Sequence, residues 1–315
     1  MKLKFFVFIF LSFVFTSCEK CSREQSQKQT QKTSDKEITI GTFNIEWLGD
    51  GINDRVERNE NDYKNIARLI DESKCDIIGV QEIENFNALE KLIKYLPDFS
   101  FYLSRDNAPQ KVGLLYRKNI KVRLLGDYSP LEVEVDRTRP GIYLAVKKGN
   151  FDFIVLVVHF KATSRFDDTK EKIELSRTLR TLQAQVVSRF VDSILAQNIE
   201  QDVFIIGDFN DTPKRTKFNS LTPIISNPNL LFLTSELKSC KFQNAYVIDH
   251  IIATRSAAQR YIENSASIYN TFSLYPKEIV EKISDHCLVF ARFDVTKPDN
   301  DASNYFVSER EMTLK

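Results

Sequence analysis

Only three histidines occur in the 315 residues, and each stands in an apolar run or at its edge, beside acidic side chains or at the run's end. His159 closes FDFIVLVVH, His250 follows Asp249 in VIDHIIA, and His286 follows Asp285 in SDHCLVF. Asn44, Glu82 and the pair Asp208 and Asn210 stand likewise where the runs ITIGTFN, IIGVQ and VFIIG stop. Imidazoles set against carboxylates can hold and pass protons near neutral pH. Carboxylate and amide oxygens with no thiolate among them suit a hard divalent cation. Taken singly, each of these residues also has a structural use. His159 can be a hydrogen-bonded core histidine, His250 an outward-alternating strand residue, and Asp208 with Asn210 turn formers. Glu82 and Glu84 can be charges at a helix start. The chemistry therefore lies in the set and its order.

Such a set needs rigid elements to hold it. Residues 38–44, 77–81, 112–116, 151–159, 203–207, 247–253 and 287–293 have strand length and composition, and near-continuous apolar runs predict strands covered on both faces. Between them lie helical stripes: Ile66, Leu69 and Ile70; Leu89, Leu92, Ile93 and Leu96; and Leu179, Leu182, Val186, Phe190 and Ile194 along residues 175–195. The pattern predicts helices layered outside packed sheets, with polar residues gathered at strand ends. No internal repeat and no glycine-rich phosphate loop is present.

The N-terminus reads as a processing signal. Lys2 and Lys4 precede an apolar run too short to span a bilayer, and Thr16-Ser17-Cys18 follows. FTSC resembles a bacterial lipobox, with Phe15 where leucine is more usual, so residues 1–17 are expected to be a signal peptide and Cys18 the lipidated residue. An ordinary secretory signal with an incidental Cys18 is the alternative. Residues 18–36 hold no large apolar side chain and read as a solvated tether. A single domain is expected over residues 37–294, with a polar tail over 295–315. The net charge of +1 gives no electrostatic argument for a polyanion partner. Cys75, Cys240 and Cys287 show no zinc spacing and read as buried free thiols, with one disulfide open to them in an oxidising compartment.

In order, TFNIEWL, VQEIE, VVHFKA, GDFND, IDHI and SDHCLV resemble the landmarks of the endonuclease/exonuclease/phosphatase superfamily, over residues 38–293. That superfamily includes DNase I-like nucleases, abasic-site endonucleases, neutral sphingomyelinases and inositol-polyphosphate phosphatases. The resemblance implies a four-layered α/β sandwich, two packed mixed or mostly antiparallel sheets flanked by helices. It places Asn44, Glu82 and Asp285 at a magnesium ion, for which manganese or calcium can substitute, with Glu82 the chief carboxylate. It implies that Asp208 and Asn210 face the attacking water and a phosphate oxygen, that Asp249 pairs with a catalytic His286, and that His159 touches the phosphate. Asp208 and His286 both remain candidates for the base. Relatives often carry an Arg-Pro that reaches the substrate, which points to Arg139 in TRPG against the alternative of a solvated loop arginine. Lys161 shares the direction of His159 if that strand continues, and His250 is a further substrate candidate.

The opening motif with HFKAT and GDFNDTP is similar to bacterial extracellular nuclease-like members. The first expectation is therefore a monomeric, extracytoplasmic, membrane-anchored nuclease with a nucleic-acid partner. Arg165, Lys170, Lys172, Arg177 and Arg180 would hold flanking phosphates, although Asp167, Asp168, Glu171 and Glu174 cancel much of that charge. One rival is a phospholipid phosphodiesterase, with residues 227–234 (NPNLLFLT) as the apolar insertion candidate, or a phosphatase on a small substrate. The other is an inert binding module, against which the intact Glu82, Asp208, Asn210, Asp249, Asp285 and His286 speak.

Overall fold

The computed structural model describes residues 35–164, 166–299, 301 and 305–306. All of them belong to one compact unit, Ser34–Lys315. Cys18, the expected signal peptide, nearly all of the expected tether and most of the expected tail lie outside the described residues, as does Arg165.

The elements run β1 (Glu37–Leu48), α1 (Glu60–Glu72), β2 (Ile77–Ile83), α2 (Phe86–Ile93), β3 (Phe99–Leu103), β4 (Lys111–Arg117), β5 (Lys121–Tyr128), β6 (Gly141–Lys148), β7 (Phe151–His159), α3 (Lys170–Leu195), β8 (Val203–Asp208), β9 (Leu230–Phe232), β10 (Asp249–Thr254), β11 (Ser267–Tyr269), α4 (Lys277–Ile283) and β12 (Leu288–Asp294), with short helical turns between some of them. Two six-stranded sheets result, β11-β12-β1-β2-β4-β3 and β5-β6-β7-β8-β10-β9. This is the expected sandwich with helices outside. All seven expected strands form; β3, β5, β6, β9 and β11 are additions.

The two sheets repeat one plan. Each has a single parallel pair, β1 with β2 and β7 with β8, and every other pairing is antiparallel. A parallel pair brings two C-terminal strand ends to the same edge. β1 and β2 pack against β7 and β8, so four such ends meet at one edge of the sandwich. The sheets approach closely at Gly79, where a Cβ would lie 2.8 Å from Ile206 Cδ1 and 3.0 Å from Val157 Cγ1.

Burial accounts for the framework. Phe151, Phe153, Phe204 and Phe293 pack tilted or edge to face through the inter-sheet core, with ring centroids 4.8–4.9 Å apart along the chain of contacts. Each fully buried phenylalanine contributes roughly 3 kcal/mol. α1 starts at a capping box in which Asn59 and Asp62 bond each other's backbone N–H, worth about 1 kcal/mol. α3 starts five residues before the expected 175 and buries Leu179, Ala184, Val187, Phe190 and Val191. Leu182, expected in its stripe, is 38% exposed.

Cys240 and Cys287 form a disulfide, a departure from the default of buried free thiols, and Cys75 is a buried free thiol. Closing a loop over a separation of 47 residues stabilises by about 4 kcal/mol on the chain-entropy account. The chain does not leave the domain at Asp294: Val295 is buried, its N–H bonds Lys36 O, and the Arg260 guanidinium donates to the carbonyls of Lys297 and Pro298. No described helix is long and apolar enough to cross a membrane.

Candidate active site

The edge where the parallel pairs end carries Asn44, Glu82, His159 and Asp208, and β10 starts there with Asp249 paired to Asp208. In GDFN the glycine is obligatory. Gly207 has φ +152°, and a Cβ there would meet Val158 O at 2.0 Å. Asn210 (φ 50°), Glu82 (φ 62°) and Glu46 (φ 44°) all adopt the left-handed region, at a cost of about 1 kcal/mol or more each. Strand β2 is irregular between Val80 and Ile83, and β1 between Asn44 and Leu48. These bulges turn Glu82 and Glu46 toward the edge.

Two histidines face Asp208, and their surroundings give them opposite charge. His286 Nδ1 lies 2.8 Å from Asp249 Oδ2, leaving Nε2 at 3.9 Å from Asp208 Oδ2 and 3.8 Å from Asp285 Oδ1. Burial pushes the His286 imidazolium to give up its proton, but Asp249, through its charge and its hydrogen bond, then Asp208 and Asp285, outweigh burial and hold it well above the usual histidine range. His159 is fully enclosed, and Arg139 Nη1 lies 2.7 Å from its Nδ1. Arginine only donates, so Nδ1 accepts and the proton sits on Nε2. That N–H points to Asp208 Oδ2 at 3.6 Å and Glu82 Oε1 at 3.9 Å. Burial first, then the charges of Arg139, His286 and Lys161, keep His159 neutral. Asp208 itself is pushed up to about 7, by burial and then by the Asp249 carboxylate, against the pull of His286. Its Oδ1 accepts from Asn210 N at 2.8 Å.

Asn44 stitches the sheets together. Its Nδ2 donates to Glu82 Oε1 at 3.2 Å and to Asp208 Oδ2 at 3.1 Å, while its Oδ1 accepts from Glu46 N at 3.0 Å. The amide therefore presents its donor side to both carboxylates and positions them. Burial and then Asp285 raise the Glu46 carboxyl, with a smaller contribution from Glu82. Glu46 thus lies near the like charges of Asp285 and Glu82, and a set with oxygen donors alone fits a hard divalent cation. At this edge the group with ligand spacing is Asp208, Asp249 and His286, whose ligand atoms lie within 4.8 Å of one another. His286 is an imidazolium bonded to Asp249, and a metal-bound histidine must be neutral; this group reads as a proton network.

Other expected contributors are placed elsewhere. His250 is 0% exposed; its Nδ1 meets Thr234 Oγ1 at 3.1 Å and its Nε2 meets Asp211 O at 3.2 Å. Neighbours along a strand face opposite ways, so with Asp249 at the site His250 sits in the core and does not reach a substrate. Burial pulls its imidazolium down to about 4. β7 ends at His159, so Lys161 is not held on the same strand face; its Nζ donates to Ala162 O at 2.7 Å. Arg180 is buried and bonds Lys161 O and Thr163 Oγ1; Lys172 pairs with Asp168 and Arg177 with Glu174. Within the expected basic row, Lys172, Arg177 and Arg180 are therefore each engaged inside the protein. Asp285 is half exposed and pairs with Lys241 at 3.2 Å.

Four positioning residues escaped the sequence reading. Ser284 Oγ donates to Asn44 O at 2.7 Å and accepts from His286 N at 3.0 Å. Glu46 Oε2 accepts from Asp285 N at 3.0 Å. Both lie inside motifs already noted, which was the available clue. Arg58, buried, donates to the carbonyls of Ile45, Glu46, Trp47 and Lys282 and so ties the end of β1 to the loop bearing His286. Gln110 Oε1 accepts from Arg139 at 2.9 Å. Nothing in the sequence marked these last two.

A sequence profile of the Endonuclease/Exonuclease/phosphatase family matches residues 41–286. No curated protein sequence matches the chain. The fold is similar to that of an endonuclease/exonuclease/phosphatase family protein from Bacteroides thetaiotaomicron, at TM-score 0.58 and 17% identity over 82% of this chain and 98% of the other. It is also similar to TDP2 from Caenorhabditis elegans (TM-score 0.59, 19% identity, 89% of this chain and 82% of the other) and to a mannosyl-6-phosphatase from Bacteroides thetaiotaomicron (TM-score 0.54, 15% identity, 81% and 98%). The chain belongs to the endonuclease/exonuclease/phosphatase family and is a hydrolase of phosphate ester bonds.

Proposed function

We propose that the protein is an extracytoplasmic, magnesium-dependent phosphodiesterase acting on nucleic acid. The observation that carries the chemistry is the convergence of a charged and a neutral imidazole on Asp208 Oδ2, at 3.9 and 3.6 Å. With carboxyl chemistry moved up to about 7, Asp208 takes a proton from a water as that water attacks phosphorus and the bond to the leaving oxygen breaks. The His286 imidazolium and the His159 Nε2–H donate to phosphate oxygens, whose charge grows as the bond forms. Asp249 keeps His286 oriented and charged, and Arg139 does the reverse service for His159, holding it neutral with its proton outward. Glu82, Glu46 and Asp285 would hold magnesium, for which manganese or calcium can substitute, and the cation would neutralise phosphate charge.

The nucleic-acid reading rests on a recess of ≈ 230 Å³ beside His286, lined by Lys241, Phe242, Tyr246, Asp249 and Cys287 among others. Lys238 Nζ lies 3.3 Å from the Tyr246 ring centre and Lys241 Nζ 5.6 Å from that of Phe242. Ammonium groups beside aromatic rings suit a phosphate and its base, and a base that displaces an ammonium from a ring gains stacking worth roughly 1–3 kcal/mol. The lipid reading loses its insertion candidate, because residues 227–234 hold the sheet-edge strand β9 with Leu230 and Thr234 buried. A disulfide supports an oxidising compartment, in line with lipidation at Cys18 and a monomer tethered to a membrane.

The test is hydrolysis of plasmid DNA, RNA, sphingomyelin and a phosphomonoester by the full chain, with magnesium or with a chelator. Metal-dependent cleavage of DNA or RNA is expected, and turnover of lipid or monoester alone would overturn the substrate. Membrane fractionation of Cys18→Ala supplies the second arm: the variant should be released, and retention would refute the anchor.

A further inference from the structure

A second acidic cluster lies at the opposite ends of β7 and β8, about 20 Å along the strand from Asp208, and hydrolysis makes no use of it. Glu200 and Asp202 lead into β8, Asp152 stands at the start of β7, and Asp299 and Asp301 come from the segment after β12. Ligand oxygens of Glu200, Asp202 and Asp301 all lie within 4.8 Å of one another. Glu200 and Asp202 are both 0% exposed.

The backbone uses some of these oxygens. Glu200 Oε1 accepts from Asp202 N at 2.8 Å, Asp301 Oδ2 from Gln201 N at 2.8 Å, and Asp299 Oδ2 from Asp152 N at 3.1 Å. Neither oxygen of Asp202, nor Oε2 of Glu200, nor Oδ2 of Asp152 has a hydrogen-bond partner. The Ser256 hydroxyl favours the charged form of Asp202 without reaching hydrogen-bond geometry. Buried carboxylate oxygens left unpaired cost several kcal/mol unless a cation meets them. Basic side chains do so only in part: among the described residues, Arg260 stands 3.9 Å from Asp202 and 3.7 Å from Asp299, and Lys147 stands 2.8 Å from Asp152. Burial, then a hydrogen bond with Asp301, pushes Glu200 up to about 10, and burial pushes Asp202 up to about 7.

We propose that Glu200, Asp202 and Asp301 bind a divalent cation of the calcium type, which fastens the C-terminal strap to the base of the second sheet. The donors are all oxygen, and they come from two chain segments that meet irregularly. Calcium accepts six to eight oxygens in flexible geometry, whereas magnesium demands a near-ideal octahedron and keeps its waters. Three fully buried carboxylate oxygens without a hydrogen bond, both of Asp202 and Oε2 of Glu200, distinguish this cluster from an ordinary acidic surface. Arg260, bonded to the carbonyls of Lys297 and Pro298, already fixes the strap's approach; the cation would close it at Asp301.

The experiment is calcium chloride titration of the full chain carrying Glu82→Gln, which weakens the hydrolytic cation site, read by calorimetry and thermal unfolding. One calcium per chain should still bind, and at about 100 times Kd the Tm should rise by roughly 5–10 °C, with a smaller rise in magnesium chloride. Adding Asp202→Asn should abolish both the bound calcium and the Tm rise. If that variant fails to fold, Asp301→Asn, at the half-buried end of the strap, should weaken calcium binding at least about tenfold. Absence of calcium binding to the Glu82→Gln chain, or equal binding after the substitution at Asp202 or Asp301, would overturn the proposal.

Discussion

The same two parallel strands, β7 and β8, carry buried carboxylates at both ends, and the ends differ in what faces those carboxylates. At the C-terminal end Asp208 meets two imidazoles and an amide, groups that exchange or direct protons. At the N-terminal end Asp202 and Asp152 meet Arg260 and Lys147, and a strap of following chain. Burial raises Asp208 and Asp202 alike, each up to about 7. A raised carboxyl is therefore no mark of catalysis by itself; the mobile protons around it and the opening to substrate are. The contrast repeats on a smaller scale around Asp249. His286 turns outward and is held charged by it, while the next residue in the strand, His250, turns inward and is neutral.

If the C-terminal end works through its protons, the largest loss comes from His286→Ala, which should lower kcat at least about a hundredfold in magnesium. Near-normal turnover would place the acid elsewhere and erase the distinction between the ends. A smaller effect, about tenfold in kcat, is expected from Arg139→Met, which removes the donor into His159 Nδ1. Nitrogen NMR of the imidazole should then show the Nε2–H tautomer losing its dominance, and an unchanged tautomer would show that Arg139 does not set it. The smallest effect is expected away from both ends: Lys172→Gln, on the paired face of α3, should change KM less than about twofold. A large, salt-dependent rise in KM would restore the helix as a phosphate-binding row.

Much of this was legible in the sequence because the site uses strand ends. An apolar run closed by a polar residue announces both the strand and the edge at which the residue lies, and Asn44, His159 and Asp208 obey that rule. The strands that went unread are mostly half-exposed or short. β5 (KVRLLGDY) buries none of its residues fully, and β9 and β11 have three residues each. β6 is well buried, but Gly141 after Pro140 and the pair Lys147-Lys148 cut its apolar run short. Alternation does put His250 opposite Asp249, but that face is core and not solvent, so neither the outward position nor the substrate role holds. Arg58, Gln110 and the Cys240–Cys287 pairing depend on contacts across long separations, and no local pattern encodes such contacts. The basic row shows a further limit of the sequence: composition counts charges, whereas ion pairing on α3 and burial of Arg180 decide which remain available.

The most direct test of the claim that Asp208 is the working carboxylate is turnover of bis(4-nitrophenyl) phosphate by Asp208→Asn beside the unsubstituted protein, with magnesium and with a chelator. Unfolding should be recorded on the same samples. The account predicts at least about a hundredfold loss in magnesium, with cooperative unfolding retained and the unsubstituted protein silenced by the chelator. Turnover within about threefold of the unsubstituted protein, less than the effect of losing a general base, would contradict it.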